Sequence, residues 1–315
     1  MLEWSKTALV FPGQGSQVIG MGKDLLDTFP IVRETFQTAD EILGFSLSTL
    51  CFEGPEAELN LTLNTQPALY VTSIALLRAF RETVADAQPY CVAGHSLGEI
   101  TALSAAGAVS FEDGLRLVRE RGRLMTEAGE TSPGAMAAVM ALDASVIRQV
   151  CADASAHTGG VVVLANDNGP TQRVISGDVA TLDYAIEQLQ AAGARRIVKL
   201  AVSIAAHSPL MEPAAVGFRT ALANTSFVNA QTTVFANVSA SPIQTAQQIR
   251  EELDLQLTNS VRWTESVQEM VKAGVNTFIE IGPKNVLSGL IGRIDASVRT
   301  YAVNNLDSLH GINSL

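Results

Sequence analysis

Cysteine is scarce in this chain, and the few cysteines stand far apart. There are three in 315 residues, Cys51, Cys91 and Cys151, an odd number with no Cys-x-x-Cys pair among them. This spacing excludes a disulfide framework and a cysteine-based zinc site. A chain that does not rely on disulfides suits a reducing compartment, so we expect a cytoplasmic protein.

Charge is also sparse, and positive charge is scarcer than negative charge. Charged residues make up 17% of the chain, and 21 Lys and Arg against 32 Asp and Glu give a net charge of −11. Such a chain lacks the concentrated basic surface that neutralises phosphates, so we expect no nucleic-acid binding. The first residues, MLEWSKTALVFPG, reach Pro12 and Gly13 before any apolar run is long enough for a signal peptide or a membrane span. We therefore expect no membrane association.

Apolar residues, by contrast, are abundant, and they occur in short runs that alternate between strand and helix patterns. A chain of this length that is 47% hydrophobic can bury a large core. The patterns predict strands at 7–11 and 275–282, and helices at 65–81 (with regular spacing after Pro67), 112–128 and 262–273. Strands that alternate with helices predict an α/β fold whose parallel sheet is covered on both faces.

Between residues 133 and 204 the rhythm changes to strand, helix, strand, strand, helix, strand. That order is typical of a ferredoxin-like unit, whose ends lie close enough together for insertion into a larger domain. We therefore predict a discontinuous, α/β-hydrolase-like catalytic domain made of 1–132 and 205–315. The ferredoxin-like domain at 133–204 would be inserted into it.

The stretch AGHSLGEITAL at 93–103 places Ser96 between two glycines. The residues before it are typical of a buried strand, and those from Ile100 onward are typical of a packed helix. In that setting Gly-x-Ser-x-Gly predicts a nucleophile elbow, a strained turn that presents the hydroxyl at a helix N-terminus. The alternative is a serine that occurs in the turn without a chemical role.

A nucleophilic serine needs a base, and His207 is the best candidate among four histidines. It follows the last strand of the small domain, where the chain re-enters the large one, whereas His95 adjoins Ser96 and should point elsewhere. An α/β-hydrolase would place an acidic residue between its serine and its histidine, but the aspartates in that interval all fall within the predicted insert. The arrangement leaves room for a dyad whose histidine is oriented by a backbone carbonyl.

Seven ordered stretches covering nearly the whole chain resemble the malonyl-CoA:acyl carrier protein transacylases of fatty-acid and polyketide synthesis. They are FPGQGSQ (11–17), TQPALY (65–70), GHSLGE (94–99), Arg121-Gly122 with Met125, NDNGPTQRVISG (166–177), HSPLM (207–211) and EIGP (280–283). The resemblance implies ping-pong transfer of a malonyl group from malonyl-CoA to the phosphopantetheine thiol of an acyl carrier protein. It implies no metal or redox cofactor, since coenzyme A arrives as part of the substrate, and we expect a monomer.

The resemblance also implies roles for individual residues. Ser96 would accept the acyl group and His207 would be its base. The remaining implied roles are an oxyanion hole from the backbone N–H groups of Gln14 and Leu97, histidine orientation by the main-chain carbonyl of Gln256, binding of the malonyl carboxylate by Arg121, and lining of the interdomain cleft by Asn166 and Asn168. From the residues alone, Arg121 would belong to a solvated helix face, and the two asparagines would be turn formers.

Three residues depart from the family pattern. Lys284 stands where the family usually has a glycine, so we expect that turn to use a different backbone conformation. Ala205 and Ala206 replace bulkier or polar side chains, which leaves methylmalonyl open as the acyl group.

Two other functions stay open: a serine esterase or thioesterase, and a non-catalytic scaffold for carrier proteins. A further expectation concerns docking, because this chain and the implied carrier proteins are both acidic. Two acidic partners need a local basic patch to meet, and Arg195, Arg196 and Lys199 are the densest candidates.

Overall fold

A mainly parallel sheet forms the centre of the larger part of the molecule. The computed structural model describes residues 2–84 and 87–312. Its strands are β1 (Thr7–Phe11), β2 (Cys91–Gly94), β3 (Gly134–Met140), β4 (Val162–Asp167), β5 (Gln172–Asp178), β6 (Arg196–Lys199), β7 (Thr233–Phe235), β8 (Pro242–Ile243), β9 (Thr277–Ile281) and β10 (Arg299–Val303). Six of them form a sheet in the order β10-β9-β1-β2-β7-β8, in which only β7 and β8 pair antiparallel. The predicted α/β class is confirmed.

The central strands of this sheet are buried on both faces, which explains their continuous apolar sequences. In β1, Leu9 and Phe11 join the side-chain layer on one face, and Ala8 and Val10 join the layer on the other. This is the period of two that a strand imposes. Both faces therefore need helices to cover them, as the alternation of patterns predicts.

The α-helices supply that cover. In chain order they are α1 (Pro30–Leu43), α2 (Leu47–Glu53), α3 (Glu56–Leu59), α4 (Thr62–Thr83), α5 (Leu97–Ala105), α6 (Phe111–Thr131), α7 (Ala144–Thr158), α8 (Val179–Ala191), α9 (Glu212–Asn224), α10 (Ala246–Gln256), α11 (Trp263–Lys272), α12 (Val286–Ile294) and α13 (Leu306–Gly311). Helices α1, α4, α5, α6 and α9 contribute to one apolar layer, and α11 and α12 to the other. Within the described ranges, no helix has the length and apolar character needed to cross a membrane.

The second sheet is smaller and antiparallel, in the order β4-β5-β3-β6. With α7 and α8 it has its own core, which includes Val139, Ile175 and Leu182. The elements follow one another as strand, helix, strand, strand, helix, strand, as predicted for a ferredoxin-like unit. The domain boundaries at 133 and 204 stay a prediction.

One edge of the small sheet is hydrogen-bonded to the larger part. The Val261 N–H donates to the Ala165 carbonyl at 2.8 Å, and the Asp167 N–H donates to the Val261 carbonyl at 2.9 Å. The carboxyl end of β4, which carries Asn166 and leads to Asn168, is thereby held against the segment between α10 and α11.

Helix α4 begins earlier than predicted because it accommodates Pro67 in its interior. The spacing predicts a helix that is regular after Pro67, but α4 begins at Thr62. A proline nitrogen cannot donate to the carbonyl four residues earlier, here that of Leu63. That carbonyl instead accepts a hydrogen bond from Arg119 Nη1 at 2.8 Å. A side chain of α6 thus supplies the donor that the helix itself lacks.

Lys284 adopts the backbone conformation that glycine favours, although it replaces the glycine usual in the family. Its φ is 62°, in the left-handed region, so the expected change of conformation is wrong in this respect. The lysine Nζ donates to the Gly15 carbonyl at 3.1 Å, and its own carbonyl accepts from Asn304 Nδ2 at 2.8 Å. These two contacts hold the strained residue in place.

Candidate active site

Ser96 occupies a sharp turn between β2 and α5. Its φ of 53° and ψ of −109° lie outside the regions that most residues adopt. Two close approaches make the turn possible: a Cβ on Gly94 would lie 1.8 Å from the Gly98 carbonyl oxygen, and one on Gly98 would lie 2.1 Å from the Phe11 oxygen. Larger residues at these positions would push the turn apart. The predicted nucleophile elbow is therefore present in the structure.

His207 lies beside the Ser96 hydroxyl in the arrangement of a general base. Its Nε2 is 2.8 Å from Ser96 Oγ, and its Nδ1 is 2.8 Å from the main-chain oxygen of Gln256. A carbonyl only accepts, so Nδ1 carries the proton. Burial, with a smaller contribution from the charge of Arg121, lowers the pKa of His207 to about 3. The imidazole is neutral, and its unprotonated Nε2 can take the serine proton.

The position of Gln256 explains why its carbonyl is available to the histidine. It is the last residue of α10, where carbonyls have no donor from a following turn. His207 itself has a φ of 59°, in a loop that follows the small sheet. A helix end and a constrained loop together fix the ring, which matches the dyad with a carbonyl orienter left open by the sequence.

Arg121 is buried beside the nucleophile rather than solvated. Its side chain lies on the packed face of α6, and the residue is 1% exposed. Nη2 donates to Ser96 Oγ at 3.1 Å and to Gln256 Oε1 at 2.8 Å, and Nη1 donates to Gln66 Oε1 at 2.9 Å. The reading of this arginine as part of a solvated face is wrong. The neighbour Arg123 does occupy that face, where it pairs with acidic side chains.

The guanidinium of Arg121 donates its hydrogen bonds to neutral groups. Burial lowers its pKa to about 10, so the guanidinium remains protonated at neutral pH. Across residues 2–84 and 87–312, its hydrogen bonds go to amide and hydroxyl oxygens, with no carboxylate within ion-pair distance. A buried cation without a bonded anion favours an anionic ligand close to Ser96.

The two turns expected to form the oxyanion hole lie next to each other. The His95 N–H donates to the Phe11 carbonyl at 3.0 Å, which joins the elbow to the start of the 12–17 turn. Leu97 is the first residue of α5, so its N–H has no acceptor within the helix. Gln14 lies in the neighbouring turn, with its side chain donating to Thr62 Oγ1 at 3.3 Å. That the N–H groups of Leu97 and Gln14 bind an oxyanion stays a prediction.

Asn166 and Asn168 lie where the small sheet meets the larger part, and both are buried. Asn166 is bridged to Val261, and Asn168 Oδ1 is 2.7 Å from His95 Nε2. The structure therefore brings Asn168 to the elbow through His95 and not through Ser96 itself. A role for either asparagine in lining the substrate cleft stays a prediction.

Sequence reasoning missed three residues that hold this constellation together. Gln66 accepts from Arg121, and Glu99 and Asn237 hydrogen-bond behind the elbow. The Asn237 side-chain oxygen accepts from the Ser96 N–H at 2.7 Å, and its Nδ2 donates to the Gly94 carbonyl at 2.7 Å. One available signal was the place of Asn237 just beyond β7, since polar residues after parallel strands often face a site.

Among the described residues, no group of three or more His, Cys, Asp or Glu is arranged to hold a metal ion. What the site offers is a hydroxyl, a neutral base and a buried cation, joined by hydrogen bonds. Together with an α/β-hydrolase-like sheet, this defines the class of enzymes that form an ester on a serine and pass the acyl group on.

Comparisons with known proteins narrow the class to a family. The sequence profile of the acyl transferase domain matches residues 8–302. The malonyl CoA-acyl carrier protein transacylase of Bacillus subtilis is 45% identical over 97% of this chain and 95% of its own length, and that of Escherichia coli K12 is 43% identical over 94% and 95%. This chain belongs to the acyl transferase family, among the malonyl CoA-acyl carrier protein transacylases.

Solved structures agree with this assignment. The malonyl-CoA:acyl carrier protein transacylase of Xanthomonas oryzae superposes with a TM-score of 0.93 at 44% identity, covering 99% of this chain and 98% of its own. A malonyl-transacylase solved in complex with its type II polyketide acyl carrier protein gives a TM-score of 0.94 at 42% identity over 97% and 98%. The fold and the acyltransferase class predicted from the sequence are confirmed.

Proposed function

We propose that this enzyme transfers a malonyl group from malonyl-CoA to the phosphopantetheine thiol of an acyl carrier protein, through an ester on Ser96. In the first half-reaction, His207 Nε2 takes the hydroxyl proton as Ser96 Oγ attacks the thioester carbon. The resulting oxyanion is held by the backbone N–H groups of Gln14 and Leu97. When the C–S bond breaks, His207 returns the proton to the sulfur of coenzyme A.

The second half-reaction runs the same steps with a new nucleophile. His207 takes the proton of the carrier thiol, whose sulfur attacks the Ser96 ester. Collapse of the second tetrahedral intermediate breaks the C–O bond, and His207 gives the proton to Ser96 Oγ. The enzyme returns to its starting state, so these steps require no metal or redox cofactor.

The observation that carries the malonyl assignment is the buried guanidinium of Arg121, 3.1 Å from the nucleophilic oxygen. An arginine grips a carboxylate through two parallel hydrogen bonds, and burial strengthens that contact. An acyl group that bears a second carboxylate would supply the missing anion, whereas an acetyl group would not. The buried alanines Ala205 and Ala206 keep methylmalonyl as a second candidate.

A chase experiment separates this transferase from a hydrolase. The enzyme is acylated with malonyl-CoA, freed of coenzyme A, and then mixed either with holo acyl carrier protein or with buffer. We expect rapid transfer to the carrier and slow loss in buffer. Equally rapid loss in both would indicate an esterase or thioesterase, and failure to form any adduct would indicate a scaffold.

For the carrier protein we propose a docking surface at the start of β6, where Arg196 and the preceding Arg195 are exposed. The third basic residue of the predicted patch, Lys199, is paired with Asp183 at 2.5 Å and is partly neutralised. The two arginines are therefore the better candidates for contact with an acidic partner.

We also propose that the enzyme acts as a monomer in the cytoplasm. Its three cysteines are all free and buried, as suits a reducing compartment. Light scattering on the purified protein tests the first part, and cell fractionation tests the second.

A further inference from the structure

A buried carboxylate that the proposed reaction does not use lies directly behind the elbow. Glu99, in the first turn of α5, is 0% exposed. One of its oxygens accepts from the Asn237 N–H at 2.8 Å, and the other accepts from Gln256 Nε2. A carboxylate is rarely buried unless such donors satisfy it.

The partners of Glu99 reach all parts of the site. Asn237 Oδ1 accepts a hydrogen bond from the Ser96 N–H, and Gln256 Nε2 also donates to the Ser96 carbonyl at 3.0 Å. The other side-chain atom of Gln256, Oε1, accepts from Arg121 at 2.8 Å. One amide thus lies between an anion and a cation.

Chemistry permits that amide one orientation. Glu99 as a carboxylate only accepts, and Arg121 only donates. Gln256 satisfies both when its NH₂ faces Glu99 and its oxygen faces Arg121. If the amide were turned over, its NH₂ would face the guanidinium, which is also a donor. Its oxygen would face the carboxylate, which is also an acceptor.

The charge state of Glu99 follows from opposing influences. Burial raises the pKa of its carboxyl well above the ordinary value, and the nearby Glu252 raises it further. The N–H donors of Gln256 and Asn237 and the charge of Arg121 act in the other direction. Because N–H groups face both oxygens, the geometry suits the ionised form.

We propose that Glu99 is a positioning residue for acyl selectivity: it holds the Gln256 amide so that an acceptor faces Arg121, which keeps the guanidinium beside Ser96. The inference rests on the proposed role of Arg121 in binding the malonyl carboxylate. It adds that the preference for malonyl over acetyl depends on a residue that touches neither acyl group.

The substitution Glu99→Gln tests the mechanism with almost no change in size. The new side chain has one oxygen and one NH₂, and its oxygen must face the fixed backbone donor of Asn237. Its NH₂ then faces the Gln256 NH₂, and the Gln256 amide turns over to accept, which also ends its donation to the Ser96 carbonyl. The NH₂ of Gln256 now opposes Arg121, which loses an acceptor and withdraws from the acyl site.

The measurement is single-turnover acylation by malonyl-CoA and by acetyl-CoA, followed by intact mass. For Glu99→Gln we expect the malonyl rate constant to fall about tenfold or more, because a buried charged donor loses its partner. The acetyl rate constant should fall less, since the lost contact with the Ser96 carbonyl affects both acyl groups alike and the Gln256 main-chain carbonyl still orients His207. The ratio of the two rate constants is therefore the readout.

Glu252→Gln is the matched control. Glu252 is also a buried carboxylate on backbone N–H groups, those of Val238 and Ser239, but its hydrogen bonds do not reach the site. Because its charge raises the pKa of Glu99, removing that charge favours the ionised Glu99 that the inference requires. It should lose stability, measured as Tm, and keep the acyl ratio. Equal falls in both rate constants for Glu99→Gln, or the same ratio in both variants, would overturn the inference.

Gln256→Met provides a second variant that leaves the main-chain carbonyl in place. It should lower the malonyl-to-acetyl ratio by itself, and Glu99→Gln should add little in that background, because the two act through one contact. If Glu99→Gln does not fold, the Gln256→Met ratio decides: a fall supports the inference and an unchanged ratio overturns it. A wild type that prefers malonyl while the variants keep that preference would leave the proposed function standing and remove only the inference.

Discussion

The two sheets of this protein differ in how they present charge. Around the parallel sheet, the charged and titratable groups next to Ser96 are buried, and both Arg121 and His207 are hydrogen-bonded to its hydroxyl. On the antiparallel sheet, Arg195 and Arg196 are exposed to solvent where the edge strand β6 begins. Buried charges act strongly over short distances, whereas exposed charges act weakly and attract partners. The comparison predicts that changes near the first sheet impair chemistry and changes on the second impair docking.

The largest effect expected from changing an activating group is at His207. His207→Ala removes the base that takes the serine proton, so acylation by malonyl-CoA should slow by about 10²- to 10⁴-fold. The burst of coenzyme A release in stopped flow measures this step. A burst of normal rate would mean that another group activates Ser96 and that His207 is not its base.

Arg121 tests whether the buried cation selects the substrate. Truncating one partner of a buried charge pair costs about 2 to 5 kcal/mol, so Arg121→Ala should lower kcat/KM for malonyl-CoA by roughly 30-fold or more. Acetyl-CoA turnover should be unchanged or improved, because an uncharged acyl group would no longer face an unpaired cation.

Arg121→Lys is the matched control and should fall between the wild type and alanine, since it keeps the charge and loses the two-pronged geometry. If malonyl and acetyl activity fell in equal proportion in the alanine variant, Arg121 would be structural.

The pH dependence of acylation tests the burial of His207. Its pKa is lowered from an ordinary 6.5 to about 3, so the base stays neutral as the pH falls through 6.5. We expect kcat/KM for malonyl-CoA to stay near its plateau at pH 5, where a histidine of ordinary pKa would leave about a thirtieth of the activity. An acid limb centred on pH 6.5 would contradict this.

The same shift has a consequence for stability. Below pH 6.5 the unfolded chain binds a proton at this histidine and the folded chain does not, so stability should fall as the pH falls from 6.5 towards 3. His207→Gln should reduce that fall in urea unfolding.

The smallest effect is expected on the antiparallel sheet. Reversing Arg195 and Arg196 to glutamate should raise the KM for acyl carrier protein by about fivefold, in keeping with the modest worth of exposed charges. Acylation by malonyl-CoA should not change. Lys272→Glu, a reversal at an exposed site on the larger part, is the control. Equal effects on both half-reactions would count against docking at β6.

The nucleophile elbow and the small antiparallel unit at 133–204 were predictable because both depend on patterns within short stretches of sequence. Ser96 lies between a strand pattern and a helix pattern, and the six elements at 133–204 show the spacing of apolar residues expected for their strands and helices. His207 could be chosen because few histidines compete with it. These are features of short stretches, which sequence periodicity reports well.

The environment of Arg121 was not predictable from its own segment. Three arginines within five residues of α6 suggest a solvated face, and only the packing of α6 against α4 and the elbow decides which of them is buried. The same holds for Glu99, whose partners Asn237 and Gln256 are more than a hundred residues away in sequence. The tolerance of α4 for Pro67 likewise depends on a donor from another helix. Such contacts arise from tertiary structure, and no local pattern encodes them.

The central claim, that Ser96 accepts a carboxylate-bearing acyl group, is tested most directly by intact mass and peptide mapping after exposure to an equal mixture of malonyl-CoA and acetyl-CoA. We predict a single adduct of malonyl mass on the peptide that contains Ser96, and none on a folded Ser96→Ala variant. An acetyl adduct in equal or greater yield, or a malonyl adduct that persists in Ser96→Ala, would contradict the account.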